Sequence, residues 1–230
     1  MVGTLTGISS MATRAVLAEL AQAYAARAGV PIAIESVGGV DAARRVAAGE
    51  AVDAVFLASD ALDKLIAAGH VRPGRVDLVR SPVALAVPAG APRPDVSTEA
   101  ALKQAVLAAP TLGYSTGPSG NHLAALFERW GIADTVRSRV VVPPPGVPVG
   151  QLVAEGRVAL GFQQLSELMN LPGIDVLGLL PPGAEFITTF SAGVAAVSPH
   201  GDAVRALLAF MASPEADAAK ARHGMAPARD

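Results

Sequence analysis

Serine and glycine collect at one kind of place in this chain. Ser9-Ser10, Gly38-Gly39 and Ser59 each follow a strand-like run and precede a helix-like one. The stretch YSTGPSGNH, residues 114–122, does the same with Ser115, Ser119, Gly120 and Asn121. The first turn of a helix has backbone N–H groups with no internal partner, and the helix adds about half a unit of positive charge there. Hydroxyls beside such a turn donate further hydrogen bonds, and several helix starts aimed at one point hold an anion without any Lys or Arg. Taken singly, each turn also suits capping or a tight bend. Four of them on one expected sheet edge favour anion binding.

The titratable residues near these turns are few. His122 follows GPSG just inside a helix and is the nearest candidate for a catalytic base, with Tyr114 and Glu167 as further candidates. Arg80 stands where the rhythm of the chain changes and is placed to read a carboxylate or to serve a hinge. Arg44 and Arg45 are neighbours on one helix, so they cannot both face one ligand and read as a solvated face. PPPGVPVG, residues 143–150, is a proline-stiffened loop that serves as a rigid wall or as a plain connection. Val40, Ser81, Val147 and Gln164 complete the candidate ligand-binding set.

The elements that must position these groups alternate. VGTLTGI, PIAIESV and DAVFLA read as strands, each leading through a Ser or Gly turn into a helix. Val16, Leu17, Leu20 and Tyr24 share one face of the first helix, with Ser9 or Ser10 as its expected N-cap and Gly29 past its end. Consecutive strand–turn–helix units argue for a parallel sheet flanked by helices, whose ligands bind at the carboxyl ends of the strands. Beyond Arg80 come the strand SPVALAVPAG, a helix from STEAALKQAVLAA, the strand TLGYS and a helix to Trp130. Shorter strands and helices follow, and two helices close the chain.

Composition bounds the function. At 230 residues, 51% of them apolar and 17% charged, the chain is long and apolar enough for one large domain or two lobes. A net charge of −2 with no basic stripe argues against nucleic acid. The absence of cysteine excludes disulfides and thiolate chemistry, and four scattered histidines show no metal-ligand spacing, so neither metal nor cofactor is expected. No apolar run is long enough to cross a bilayer. MVGTLTGISS lacks the basic and apolar regions of a secretory leader. The expectation is therefore a cytoplasmic protein as the chain stands, or a periplasmic one if a leader has been removed.

Several stretches together resemble the molybdate-binding-protein-like branch of the type II periplasmic binding proteins. They are GISSMATRAVLAELAQAYAARAG, RRVAAGEAVDAVFLASDALDKLIAAG, RSPVALAVPAGAPRPDVST, TLGYSTGPSG, LVAEGRVALGFQQLSEL and PGIDVLGLLP. The resemblance implies an α/β fold of two lobes, each a mostly parallel sheet flanked by helices, with a ligand cleft between them. Residues 1–80 and 191–230 would form one lobe and 81–190 the other, with crossover strands near 80–84 and 190–193 as hinges. It also implies an early hydroxyl donor, which Ser9 or Ser10 supplies. A second family serine is replaced here by Gly39. A Pro-Ala-Gly turn becomes Pro118-Ser119-Gly120, and a ligand tyrosine becomes Gln164. Serine to glycine and tyrosine to glutamine make a roomier site whose amide both donates and accepts, suited to a small di- or tricarboxylate. The resemblance thus implies a binder of a small anion that works with an ABC permease if exported. The alternatives are an isomerase of an unsaturated tricarboxylate, since relatives of this fold include an aconitate isomerase, and a ligand-sensing domain.

Overall fold

The run Ala54–Ala58 explains half of the fold. Its side chains alternate, Ala54, Phe56 and Ala58 to one face and Val55 and Leu57 to the other, and all five residues are buried. A strand apolar on both faces must lie between two helical layers. The computed structural model describes residues 3–144 and 146–229, which divide into two compact units: residues up to Ser81 with Thr189 onward, and Pro82–Thr188.

In the first unit, β1 (Leu5–Ser10), β2 (Ile32–Val37) and β3 (Ala54–Ala58) are parallel in the order β2-β1-β3. The helices between and after them are α1 (Arg14–Ala28), α2 (Gly39–Ala47) and α3 (Ser59–Ala67). Strand β4 (Val76–Pro88) then runs on into the second unit.

In the second unit, α4 (Glu99–Ala108), β5 (Leu112–Gly113), α5 (Pro118–Arg129) and α6 (Ala133–Val136) precede β6 (Val140–Val141). Next come α7 (Val149–Ala154), β7 (Leu160–Gln164), α8 (Leu165–Leu168) and β8 (Ile174–Leu179). Here β6, β5 and β7 are parallel, while β4 pairs antiparallel with β7 (Val83 opposite Gln164) and with β8. Strand β9 (Ile187–Val194) returns the chain to the first unit and lies antiparallel to β3, Ala58 opposite Phe190. Helices α9 (Gly201–Ala212) and α10 (Asp217–Arg222) and the short β10 (Ala226–Pro227), antiparallel to β4 at Arg80, complete that unit.

Alternation sorts the cores. In the first unit Leu5 and Phe56 pack with Leu17, Leu20 and Leu207 of α1 and α9, and Ile8, Val55 and Leu57 pack with Val46 and Leu62 of α2 and α3. In the second, Leu85 and Phe162 meet Leu102 and Phe127 of α4 and α5, while Ala84 and Ala86 meet Val149, Leu152 and Leu168. Each such large side chain contributes about 1.5–3 kcal/mol when fully buried. Helix α1 buries Val16, Leu17, Leu20 and Tyr24 as the periodicity requires, and Gly29 ends it in the left-handed conformation, φ 67°.

Two local expectations are corrected. Strand β1 runs through Ser10, the chain then makes a short 3-10 turn at Met11–Thr13, and neither serine side chain caps a helix. TLGYS yields only a two-residue strand, because the chain leaves the ladder at Tyr114 to form the glycine-rich turn. Helix α6 and strand β10 carry too short an apolar period to be read from sequence.

Candidate functional site

In the first unit, three parallel strands deliver their carboxyl ends side by side. Ser10 ends β1 in the middle, Gly38-Gly39 follows β2 on one flank, and Ser59 follows β3 on the other. The two serines of β1 have different fates. Ser9 is fully buried, its hydroxyl lies 2.7 Å from that of Ser36 on β2, and it donates to the Ser10 carbonyl at 3.2 Å. Ser10 points to the other face, is 6% exposed, and its hydroxyl has no partner among the described residues. Ser10 lies under the start of α2, where a Cβ added to Gly39 would meet the Ser10 Cβ at 3.6 Å, an ordinary contact. Val40, beside it, is exposed. The Ser59 hydroxyl donates to the Thr189 carbonyl at 3.1 Å. Ser81, on β4, is fully buried, and its hydroxyl also lacks a partner among the described residues. Arg80 is exposed and reaches the Ala228 carbonyl at 3.4 Å. Arg44 is exposed and held by Asp41, the solvated position expected of it, whereas Arg45 is half-buried between Glu35 and Glu50.

In the second unit the carboxyl ends of β6, β5 and β7 carry the remaining candidates. After β5, the Ser115 hydroxyl accepts from the Gly117 N–H at 3.4 Å, and α5 begins with Pro118 at its first position. The turn closes so tightly that a Cβ on Gly120 would fall 1.6 Å from the Ser115 carbonyl oxygen, so only glycine fits. Ser119 is buried and Asn121 exposed. His122 stacks on Phe186 (centroids 4.4 Å apart, planes 18° apart), and its Nε2 lies 3.1 Å from the Ala184 carbonyl. A carbonyl only accepts, so Nε2 carries the hydrogen and donates. Tyr114 packs edge-on against Phe127, and burial pushes its hydroxyl pKa up, away from use as a base near neutrality. After β6, Val147 is half-buried with its N–H on the Pro144 carbonyl at 3.1 Å, while Pro145 of the stiff loop lies outside the described residues.

At the end of β7 two successive amides face opposite ways. Gln164, 4% exposed, bonds the Thr188 hydroxyl through Nε2 at 2.8 Å and leaves Oε1 without a partner among the described residues. Because the Thr188 hydroxyl can donate or accept, this amide can turn either its oxygen or its NH2 toward a ligand. Gln163 points to the α7 side. Its Oε1 accepts from the Gly150 N–H and its Nε2 donates to Glu167 Oε1, both at 2.8 Å. Burial drives the Glu167 carboxyl up to about 7, against the opposing pull of the Gln163 bond. Sequence reasoning missed Ser36, Gln163 and Thr188. The signals were present in the double amide FQQ and in the i,i+4 spacing of Gln163 and Glu167, but the partners of Ser36 and Thr188 are distant in sequence.

Among the described residues no cluster of three His, Asp or Glu could hold a metal ion, and no helix is long and apolar enough to cross a membrane.

Comparison with known proteins agrees with this architecture. The aconitate isomerase of a Pseudomonas species is 40% identical over 235 residues, covering 98% of this chain and 88% of that protein. Among solved structures, the periplasmic molybdate-binding protein of Azotobacter vinelandii superposes with a TM-score of 0.80 at 18% identity, over 98% of this chain and all of that one. The sulfate-binding protein of Mycobacterium tuberculosis gives 0.79 at 20% identity, over 99% of this chain and 88% of that one. At such identities these two structures speak for the fold alone, the α/β fold of the periplasmic binding proteins. Residues 5–226 match the family described as bacterial extracellular solute-binding protein, and the chain belongs to that family.

Proposed function

We propose that this chain binds a small organic polyanion, a di- or tricarboxylate, through the turns at the carboxyl edges of its sheets. One observation carries the reading. Four buried side-chain polar atoms lack a hydrogen-bond partner among the described residues, and three of them, Ser10 Oγ, Ser81 Oγ and Gln164 Oε1, belong to the candidate ligand set. Each such atom costs about 1–3 kcal/mol when left unpaired, so each marks a place where a partner from outside the chain, a ligand or a water, completes the bond. The two hydroxyls of the first unit and the amide of the second can each donate and accept, which suits carboxylates and hydroxyls, and in the first unit Gly39 leaves room beside Ser10. In a transport role the partner is an ABC permease and the chain works in the periplasm.

A thermal-shift screen against molybdate, tungstate, sulfate, citrate, and cis- and trans-aconitate tests the proposal. A ligand at 100 times its Kd adds about 2.7 kcal/mol of stability, and one of the carboxylates should do so. A response to molybdate and tungstate alone would overturn it.

The 40% identity to an aconitate isomerase favours a second reading, in which the bound tricarboxylate is unsaturated and its double bond is moved by proton transfer. The test is loss of carbon-bound hydrogen from aconitate to deuterated water.

A further inference from the structure

We infer that Glu167 is the group that takes and returns the proton in that reaction; the inference rests on the second reading above. The reaction is a one-three shift. A C–H bond on the methylene next to the double bond breaks, and its electron pair moves into the allylic system, with charge carried onto the adjoining carboxylate. A new C–H bond then forms at the far carbon of the three. Substrate and product have the same formula, so one group that accepts a proton and gives it back completes the chemistry, with no oxidant or second substrate.

The geometry singles out Glu167. The Gly150 N–H can only donate, so the oxygen of Gln163 faces it and the NH2 of Gln163 faces Glu167. That amide has one orientation, and it holds Oε1 of the carboxyl, while Oε2 has no partner among the described residues. Gln163 is 4% exposed, and Gly150 has no room for a side chain, since a Cβ there would sit 2.7 Å from Leu171 Cδ2 and 3.0 Å from Leu168 Cδ2. The carboxyl therefore rests on a packed support, as a proton-transferring group requires. It stands in the helix that starts directly from the end of β7, on the α7 side with Gln163 and not on the Gln164 side, and its support reaches the first turn of α7, which follows the candidate residue Val147. Glu167 itself is only partly buried, so one oxygen remains reachable.

Its protonation is set by burial, which brings the carboxyl to about 7, where a group can both take and return a proton efficiently. The charged groups on the flanking elements are otherwise engaged. Glu155, at the end of α7, meets Gln151 and Arg157, and Asp175 of β8 accepts from the Gly90 N–H. Of the other candidates, Tyr114 is shifted away from neutrality, and His122, whose Nε2 donates to Ala184 and whose ring is covered by Phe186, has Nδ1 alone left to accept a proton.

The experiment follows proton NMR of cis- and trans-aconitate in deuterated water, beside thermal shift with the same compounds. Wild type should exchange at a rate that rises with pH through about 7. Glu167→Gln should lose about 100-fold or more of that rate while keeping its thermal shift, and Glu167→Asp should recover part of it. Gln163→Met, which removes the one donor to the carboxylate, should move the midpoint of the pH profile upward. Exchange that survives in Glu167→Gln, or a wild type that binds without exchanging, would overturn the assignment and leave the binding proposal standing. A wild type with no thermal shift would overturn both.

Discussion

Each unit contains a carboxyl group that the fold has taken at least partly out of water, and the two are treated oppositely. Asp53, 7% exposed in the first unit, accepts from the Thr6 N–H (2.9 Å), the Thr6 hydroxyl (3.1 Å) and the Ser198 hydroxyl (2.6 Å). Burial alone pushes its pKa up, but the bonds from Ser198 and Thr6 outweigh it and hold the carboxyl below 3.8. Glu167 in the second unit has the single Gln163 donor, burial wins, and the group rises to about 7. The number of donors decides the sign. Asp53 ties the loop before β3 to β1 and to the segment before α9, a fixed charge with a structural task. Glu167 keeps one oxygen unassigned, in keeping with a group meant to change its protonation.

The harshest way to break this comparison is to remove Asp53. Asp53→Ala strands the Thr6 N–H and two hydroxyls in the interior, and about 3–5 kcal/mol of stability should be lost in urea titrations at pH 7. A loss below about 1 kcal/mol would mean that water replaces the carboxylate and that the three bonds do not define the site. Since the folded pKa is depressed, the contribution of Asp53 is present above pH 3.8 and lost as pH falls below it.

Glu167 should give the opposite slope. Its folded pKa is raised from 4.5 to about 7, so the protonated form is favoured on folding and stability is lost as pH rises across that window. The span of about 2.5 pH units is worth about 3 kcal/mol at about 1.4 kcal/mol per unit. Glu167→Gln keeps a neutral side chain throughout, so it should match wild type at about pH 4 and below and exceed it by up to about 3 kcal/mol at about pH 8. Parallel stability curves for the two proteins would show that the carboxyl is solvated and that its environment is no different from a surface glutamate's.

How much of this was legible in sequence depends on range. The strand–turn–helix units, the buried face of α1 and the gathering of Ser10, Gly39 and Ser59 on one edge follow from local period and from parallel order, and all three can be read from the residues themselves. The difference between Ser9 and Ser10 could be read only in part, because alternation says they face opposite ways but only the register with β2 puts Ser36 against Ser9. Asp53 and Ser198 lie 145 positions apart, and no local pattern joins them. His122 was legible as a histidine at a helix start, but the Phe186 ring that covers it comes from a segment 64 positions away, beyond the reach of local pattern.

The smallest effect separates binding from stability at neighbouring positions. Ser9→Ala removes a hydroxyl bonded to Ser36 and to the Ser10 carbonyl, so it should cost about 1 kcal/mol of stability with little change in ligand affinity. Ser10→Ala removes a buried hydroxyl with no partner among the described residues, so the folded protein should be as stable as wild type or up to about 1 kcal/mol more so. Its affinity for the responding carboxylate should fall about tenfold, equivalent to about 1.4 kcal/mol. Stability from urea titration and affinity from calorimetry, measured on both variants, place the two serines on different axes. If Ser10→Ala instead destabilises the protein and leaves affinity unchanged, the unpaired hydroxyl belongs to the packing of β1 beneath α2, and the ligand is held elsewhere on the sheet edges.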